Sequence, residues 1–360
     1  MITMRRIYTL FSVALICFSA NLMGGNEDRA GEAGASELLI NPWARSSGWG
    51  GSNTAGARGI EAMNLNVAGL AFTKNTEIIG SYTSWLGDAD ISIFNAGFAQ
   101  KVGETGVLGI SIMSMNFGDI DVTTVDLPDG GLGTFSPNYL NIGVAYSKKF
   151  SNSISGGFVI RLISESTADI NASGVALDAG VSYVTGDNDA FKFGITLRNV
   201  GPSMKYSGNG LSFRADIPNQ NRSLTINQRS DDFDLPSLVN IGASYDFYLS
   251  DVSEKNEGEY FSTHRLTTSG TFTSNSFTKD QIRLGAEYAF QEMFMARFGY
   301  VFETDTGNDE LATTTSVGPT FGATIEVPMG KSGSTFGIDY SYRATRVFSG
   351  SNAIGLRLTF

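Results

Sequence analysis

The strongest constraint on the fold is an alternation of apolar and polar residues that begins near residue 75 and recurs to the end of the chain. In the clearest run, Gln281 to Phe290, every second residue is apolar from Ile282 onward, and the residues between them include Arg283 and Glu287. A period of two residues places successive side chains on opposite faces of a β-strand. These runs, separated by turns rich in Gly, Asn, Asp and Ser, predict an all-β fold built from hairpins.

The predicted strands are unusually long. Most contain about 10–14 residues, whereas strands of soluble sheets average about 5–6 and tilted membrane-spanning strands need about 9–11. The sequence therefore predicts a transmembrane antiparallel β-barrel of about 14 strands. The predicted strands lie at 76–85, 90–101, 104–117, 137–149, 154–166, 173–184, 191–201, 236–249, 259–274, 279–290, 292–303, 316–327, 334–347 and 350–360.

A closed sheet could instead be soluble, with its apolar face turned inward. The polar faces argue against this, because many of them carry charged residues that would be costly to bury in a soluble core. In an outer-membrane barrel the apolar face contacts lipid and the polar face lines the lumen. Several runs also end in Tyr or Phe, as at Tyr146 and Phe302, which is typical of an interfacial aromatic belt. The charged residues predicted to face the lumen are Arg161, Asp178, Arg198, Arg283, Glu287, Arg297, Asp339 and Arg357.

The predicted connections differ in length on the two sides of the barrel. If the first strand leaves the periplasm, every connection longer than ten residues lies outside, namely 118–136, 202–235 and 304–315. Long external loops and short periplasmic turns are the rule for outer-membrane barrels. The last strand ends in Phe360, which resembles the terminal signal that the outer-membrane assembly machinery reads.

The N-terminus has the features of an export signal. Two arginines precede an apolar run from Ile7 to Phe18, which has the length of a signal-peptide core. Cys17 lacks a small residue before it, so we do not expect lipidation. Export together with the barrel pattern predicts that the mature protein lies in the outer membrane of a Gram-negative envelope, in contact with its lipid. The predicted division is a signal peptide at 1–24, an N-terminal segment at 25–74 that is a candidate plug, and a barrel at 75–360.

Residue counts exclude several kinds of chemistry. Cys17 and His264 are the only cysteine and histidine, so a thiol–imidazole pair or a Cys- and His-based metal site cannot form within one chain. The net charge of −11 argues against nucleic-acid binding. A membrane-embedded enzyme with a hydroxyl nucleophile would have to use His264 as its base, but this residue shares a strand face with Leu266 and Phe272 and is predicted to point toward lipid. Paired carboxylates are the alternative acid–base groups, and no motif in the sequence signals such a pair. We predict no catalytic residue, no metal and no cofactor.

Residues 43–71 resemble the N-terminal signature of the PorV/PorQ family, which is itself similar to the FadL-type outer-membrane transporters. The family pattern is roughly G-A-R-x-x-G-M-G-G, followed some twenty residues later by N-P-A-G-L-A. The chain departs from it at Trp43, Trp49 and Val67, which replace Gly, Met and Pro. The matching residues are Ala44, Arg45, Gly48, Gly50, Gly51, Asn66, Ala68, Gly69, Leu70 and Ala71.

The signature segment is a candidate plug inside the barrel. Glycine has no side chain to clash, so a Gly-rich segment can run close to a barrel wall. Residues 60–70 are apolar without strict alternation, which favours a plug over the alternative, an exposed linker to the first strand. For Arg45 and Asn66 we predict hydrogen bonds between plug and wall rather than ligand contacts. The predicted plug residues are Arg45, Gly48, Gly50, Gly51, Asn66, Gly69 and Leu70.

The resemblance also implies a role in type IX secretion. PorV-like proteins are outer-membrane components of that system, where they bind its much larger translocon barrel and receive exported proteins through C-terminal sorting domains. Loops 118–136 and 202–235 are the predicted contact surfaces, because exposed apolar residues in a long loop usually meet a partner. The alternative is a loop that folds over its own barrel mouth. The candidate contact residues are Met204, Tyr206, Leu211, Phe213 and Ile217.

The alternative function is FadL-like passive transport of hydrophobic small molecules. It requires a lateral opening or a kinked strand, and an apolar pocket near the plug. The polar inward faces predicted here weaken this hypothesis. The resemblance does not distinguish a PorV-like protein from a PorQ-like one.

Overall fold

The computed structural model describes residues 26–216, 222–256, 259–304, 314–330 and 333–360. These residues form a closed antiparallel barrel of 14 strands, because each strand pairs with the next and the last pairs with the first. The predicted fold class is thereby confirmed. The barrel strands are β1 (Thr76–Trp85), β2 (Ile91–Val102), β3 (Gly106–Asn116), β4 (Asn138–Lys149), β5 (Ile154–Thr167), β6 (Ile170–Thr185), β7 (Phe191–Val200), β8 (Leu238–Tyr248), β9 (His264–Asn275), β10 (Gln281–Phe290), β11 (Phe294–Glu303), β12 (Gly318–Met329), β13 (Ser334–Arg343) and β14 (Ser351–Thr359).

One predicted strand boundary was wrong on the inner side of the barrel. Strand β9 begins at His264 rather than at 259, because its neighbour β8 ends at Tyr248 and offers no backbone partner beyond that point. Residues Glu259–Ser262 pair instead with Val252–Asn256 in a small hairpin. The inner connection is therefore longer than ten residues, so the prediction that all such connections lie outside was also wrong.

The outward face of the barrel is apolar and the inward face is polar. Phe94 and Phe98 of β2 are 57% and 43% exposed, whereas Asn95 between them is buried. A soluble protein rarely exposes so large an apolar surface, but a barrel covers it with lipid. Tyr82 and Tyr288 lie on this face toward opposite ends of their strands, where aromatic belts meet the membrane interfaces.

Residues 26–75 fold inside the barrel, and we call them the hatch. The hatch starts at the outer mouth, where Gly34 N donates to Asp234 O at 3.0 Å. It ends at the inner rim, where Asn75 O accepts a hydrogen bond from Lys101 N at 2.8 Å. The chain thus crosses the whole lumen before it enters β1. The hatch contains the 3-10 helices Glu27–Arg29, Ser36–Leu39, Ile60–Asn64 and Val67–Phe72, and the short helix α1 (Ala44–Ser47).

The hatch supplies most of the apolar core. Helix α1 contacts β12, β13 and β14, while the 3-10 helix Val67–Phe72 contacts β4, β5 and β6 on another part of the wall. Between them, Trp43, Ile60 and Leu70 are completely buried with residues of β1 to β5. Among the described residues, no helix has both the length and the apolar character needed to cross a membrane.

The connections carry short elements of their own. These are the 3-10 helices Gly87–Ala89, Asp187–Asp189 and Asn209–Leu211, and the short strands Ile120–Asp121, Thr134–Phe135, Met204–Lys205, Ser207–Gly208, Ser212–Asp216, Ser223–Asn227, Asp232–Phe233, Val252–Asn256 and Glu259–Ser262.

Candidate functional site

The inner wall of the barrel carries glycines where the hatch comes closest. A Cβ atom at Gly48 of the hatch would lie 2.7 Å from the Cα of Gly322 on β12, and a Cβ at Gly299 would clash with the backbone of Trp49. The missing side chains let hatch backbone and strand backbone touch. The inward-facing glycines at which a Cβ would have a hatch atom within 3.4 Å are Gly97, Gly109, Gly143, Gly180, Gly194, Gly242, Gly285, Gly299, Gly322 and Gly355.

Asn66 and Arg45 reach from the hatch to the wall. Asn66 Oδ1 accepts from Ala68 N at 3.2 Å and so caps a 3-10 helix, while its Nδ2 donates to Val181 O of β6 at 3.0 Å. Arg45 Nη2 lies 3.5 Å from Met295 Sδ of β11. Both side chains therefore connect the hatch to the barrel.

The remaining residues of the signature shape the hatch itself. Gly50 and Gly51 have φ values of 63° and 74°, in the left-handed region that favours glycine. A Cβ at Gly69 would clash with the carbonyl group of Ala57. Leu70 is completely buried. Gly50, Gly51 and Gly69 therefore shape the backbone of the hatch, whereas Leu70 packs against strands β1 to β5 of the wall.

A network of ion pairs lines the inner half of the lumen from β7 to β14. Glu287 is its centre, because it pairs with Arg265 at 2.9 Å and also with Arg297. Charges buried in this way are tolerated because each has an opposite charge or hydrogen-bond partner close by. The members, in order around the wall, are Lys192, Asp246, Arg265, Glu287, Arg297, Thr324, Glu326, Asp339 and Arg357.

A second charged cluster ties the hatch to β5, β6 and β7. Arg161 Nε pairs with Asp178 Oδ2 at 2.8 Å, and Arg198 Nε lies 4.0 Å from the same oxygen. Both guanidinium groups also donate to hatch carbonyls, Arg161 to Met63 O and Arg198 to Leu38 O. Seven of the eight charged residues predicted for the lumen belong to these two networks, and Arg283 lies elsewhere on the inward face.

Two vestibules lie on either side of the hatch. The outer vestibule has a volume of about 540 Å³ and the inner one about 300 Å³. Residues 44–51 separate them, since Ser47 and Gly50 line the outer vestibule while Arg45 and Trp49 line the inner one. Between the two vestibules the hatch is therefore one backbone segment thick.

Two residues predicted to contact a partner are folded onto the barrel instead. Met204 is only 2% exposed and packs with Leu38 of the hatch and Leu235. Tyr206 is partly buried and donates a hydrogen bond to Glu165 of β5. The root of this loop thus closes over its own barrel mouth, because the hatch offers it an apolar surface. Met204 and Tyr206 are not presented to a partner.

The middle of the same loop stands away from the barrel as a hairpin of Ser212–Asp216 and Ser223–Asn227. Phe213 lies opposite Ile226, and both are exposed, at 51% and 42%. Leu224 on the same face is 55% exposed. We call this apolar side of the hairpin the external face. Sequence reasoning missed Leu224 and Ile226, although the alternation at 223–227 was a signal for them. Ile217 lies outside the described residues, and Leu211 is partly buried in the preceding 3-10 helix.

The external loop at 118–136 also exposes apolar side chains. Val125 is 99% exposed, and Leu127 and Leu132 are about half exposed. A short ladder of Ile120–Asp121 with Thr134–Phe135 holds the base of this loop. Apolar groups are therefore displayed on both long external loops that were predicted as contact surfaces.

His264 lies at the periplasmic end of β9, and its side chain is on the lipid-facing side of the wall. Its Nδ1 is 2.7 Å from the Tyr288 hydroxyl oxygen, and its ring contacts those of Tyr288 and Phe290. All three side chains belong to the outward face, where an aromatic belt meets the interface.

A closed barrel with a lipid-facing apolar wall, filled by an N-terminal hatch, defines an outer-membrane protein. The match to known proteins is more specific. The family model for the type IX secretion system protein PorV matches residues 24–261, and the chain belongs to this family. The predicted family is thereby confirmed, and it is a family of secretion components rather than of enzymes. No curated protein matches the chain.

Solved structures show the same fold at low sequence identity. The toluene transporter TodX of Pseudomonas putida has a TM-score of 0.53 and 11% identity, over 89% of this chain and 97% of that one. The toluene transporter TbuX of Ralstonia pickettii has a TM-score of 0.50 and 13% identity, over 89% and 98%. A FadL homologue of Pseudomonas aeruginosa has a TM-score of 0.50 and 12% identity, over 89% and 97%.

Proposed function

We propose that this type IX secretion barrel is a non-enzymatic accessory component that binds the translocon barrel, exported proteins or both through its external loops. The observation that carries the proposal is the external face. Phe213, Leu224 and Ile226 lie together on one side of a projecting hairpin and are exposed rather than packed against the barrel. Apolar side chains clustered on an exposed surface mark protein-binding sites. Such sites derive most of their affinity from a few buried apolar anchors.

The family supports the identity of the partner. A secretion component anchored in the outer membrane meets other parts of its system there, and the apolar side chains lie on the external side. The loop at 118–136 adds a second apolar surface around Val125. We propose that both loops contact a larger barrel and cargo proteins that carry C-terminal sorting domains.

The proposal is tested by a gentle pull-down from native outer membranes. A double variant, Phe213→Ser with Ile226→Ser, removes the apolar anchors. Its matched control, Arg214→Ser with Thr225→Ser, makes the same replacement on the opposite face of the same hairpin. We expect a much larger barrel protein to copurify with the wild type and the control, and its yield to fall about tenfold or more with the double variant. Isolation of the wild type as a lone protein would overturn the proposal.

Passive transport of hydrophobic molecules is the second candidate, and the irregular pairing of β6 with β7 favours it. The pairing shifts register between Leu177 and Ala179, and Asn199 of β7 has a left-handed φ of 59°. The wall is therefore distorted there, and Met204 packs against Gly174 beside the distortion. The solved neighbours named above include toluene transporters of the same fold.

Transport is tested by the entry of a labelled monoaromatic hydrocarbon into proteoliposomes. Replacing Met204 by Ala would speed entry if the distorted wall is a route into the lumen. Equal entry into protein-free liposomes would rule this candidate out.

A further inference from the structure

The outer vestibule is cationic in an otherwise acidic protein. The chain has a net charge of −11, yet the only charged residues among the described lining of this cavity are Arg283 and Arg343. The inner vestibule contrasts with it, because there Arg45, Arg58 and other cations face a larger number of carboxylates. The excess of positive charge is therefore specific to the outer side of the hatch.

Neither arginine of the outer vestibule has a carboxylate within 4.0 Å among the described residues. Arg283 Nη2 donates to Gln281 Oε1 at 2.7 Å, and its Nε is buried without a hydrogen-bond partner there. Glu303 is nearby but is bound by Gln281 Nε2 at 2.9 Å. A buried donor without a partner is unfavourable, so a ligand that satisfies it gains affinity.

Arg343 is held in place but keeps donors to spare. Its guanidinium carbon lies 4.7 Å from the centre of the Trp85 ring, and Nη2 donates to Asn41 O at 3.1 Å. These contacts fix the plane of the group and leave other N–H donors for a ligand. Guanidinium groups with several free donors are suited to the two oxygens of a carboxylate.

The rest of the lining mixes apolar and polar groups. Met115, Phe117 and Phe277 provide apolar surface, while Asn275, Gln281 and Thr320 provide hydrogen-bonding groups. These three polar side chains already have hydrogen-bond partners, which are Lys279 O, Glu303 and Gly48 O. The two arginines therefore supply the donors for a charged group of a ligand, and the aromatic and aliphatic residues supply surface for the apolar side chains of a bound segment.

We propose that the outer vestibule binds a polypeptide segment whose carboxylate contacts Arg283 and Arg343 and whose apolar side chains fill the rest of the cavity. This rests on the proposed function, because Phe117 and Pro236 at the roots of the two external loops also line the cavity. A protein bound to those loops would have its chain at the vestibule entrance. The volume of about 540 Å³ is in the range of ligand pockets and admits a short segment only.

Binding is tested on the full chain in detergent micelles with a fluorescein-labelled hexapeptide of alanine and phenylalanine. Fluorescence anisotropy compares the peptide with a free carboxy terminus and the same peptide amidated. We expect amidation to weaken binding to the wild type about tenfold or more, since hydrogen bonds to charged groups contribute about 1.5–3 kcal/mol. Arg283→Gln and Arg343→Gln should each weaken binding of the free acid and reduce the difference between the two peptides.

The matched control is Arg58→Gln, which removes a guanidinium from the inner vestibule. It should bind both peptides as the wild type does, and heat-modifiable gel mobility establishes that each variant is folded. Equal binding of acid and amide would overturn the proposal. So would arginine-dependent binding of decanoate without binding of the peptide, which would assign the cavity to small amphiphiles. Neither result depends on a translocon, so failure here is distinguishable from failure of the pull-down.

Discussion

Single residues on the inner wall decide how closely the hatch can lie against the barrel. The inward-facing glycines form a seat in which strand and hatch backbones touch, as at Gly48 and Gly322. Apolar–Gly–apolar runs therefore have two functions, since the apolar residues face lipid and the glycine makes room inside. Buried charges on the wall also fix the hatch, since Arg161 and Arg198 donate hydrogen bonds to the hatch carbonyl groups of Met63 and Leu38.

Replacing Gly299 by Ala tests the glycine seat. The new methyl group would clash with the Trp49 backbone, and overpacking of this kind costs about 1–3 kcal/mol of unfolding free energy. The expected result is a lower midpoint of thermal unfolding, measured by heat-modifiable gel mobility. Gly270→Ala is the control, because its methyl group would point outward with no atom closer than 3.4 Å. Equal midpoints for the two variants would contradict the role assigned to the seat.

Replacing Glu287 by Leu tests the buried network. The change leaves Arg297 without a carboxylate within 4.0 Å among the described residues, and such a loss costs about 3–5 kcal/mol of unfolding free energy. Glu32→Gln removes a carboxylate that pairs with Arg29 on the surface, where the cost is about 0–1 kcal/mol. Urea unfolding followed by intrinsic fluorescence should separate the two variants clearly. A loss for Glu287→Leu as small as that of the control would refute the network's contribution.

Among the elements, the start of the hatch has an unexpected position. Residues 26–34 lie at the outer mouth, where Arg29 Nη2 pairs with Asp234 Oδ2 at 2.9 Å. Hydrogen bonds from Ser203 and Arg29 lower the pKa of Asp234, so this carboxylate stays ionised at neutral pH and holds the segment to the external loop. The described part of the chain therefore begins on the outside, although the barrel begins and ends on the inside.

Cysteine labelling on intact cells tests this position. In a Cys17→Ser background, Ala30→Cys should react with a membrane-impermeant maleimide, because residue 30 is exposed at the outer mouth. Asn152→Cys, in the exposed inner connection between β4 and β5, should react only after the cells are opened. The reverse pattern would mean that the barrel is oriented the other way.

The whole molecule is a barrel whose lumen is occupied. The hatch crosses it from mouth to rim and leaves two vestibules separated by residues 44–51. A barrel of 14 strands without such a filling would enclose a polar space, since its inward faces carry charged residues. The closure of the wall does not depend on the hatch, because β1 pairs directly with β14.

Deleting residues 43–71 tests the closure of the lumen. Proteoliposomes with the wild type should not swell in an isotonic solution of a small sugar, whereas those with the deletion should swell as the sugar enters. Heat-modifiable gel mobility shows whether the shortened chain still forms a barrel. Swelling with the wild type, or none with a folded deletion protein, would contradict a lumen closed by the hatch.

The barrel and its two faces were predictable from the sequence. Successive side chains of a strand point to opposite faces. The sequence alone therefore shows that Phe94 and Phe98 share one face and that Asn95 lies on the other. The strand at 259–262 was misplaced because alternation does not say which segment a strand pairs with. Leu224 and Ile226 were missed for the same reason, since only their pairing with Ala215 and Phe213 shows that they share the external face.

The sequence by itself determined a lipid-facing barrel of the PorV family, because the strand alternation and the family signature are each encoded in residues close together in the chain. Tertiary structure alone decided that Met204 turns inward and that Arg283 and Arg343 share one cavity. It also decided that the hatch begins at the outer mouth. These features depend on contacts between residues far apart in the chain, such as Gly34 with Asp234, and no local pattern records such contacts.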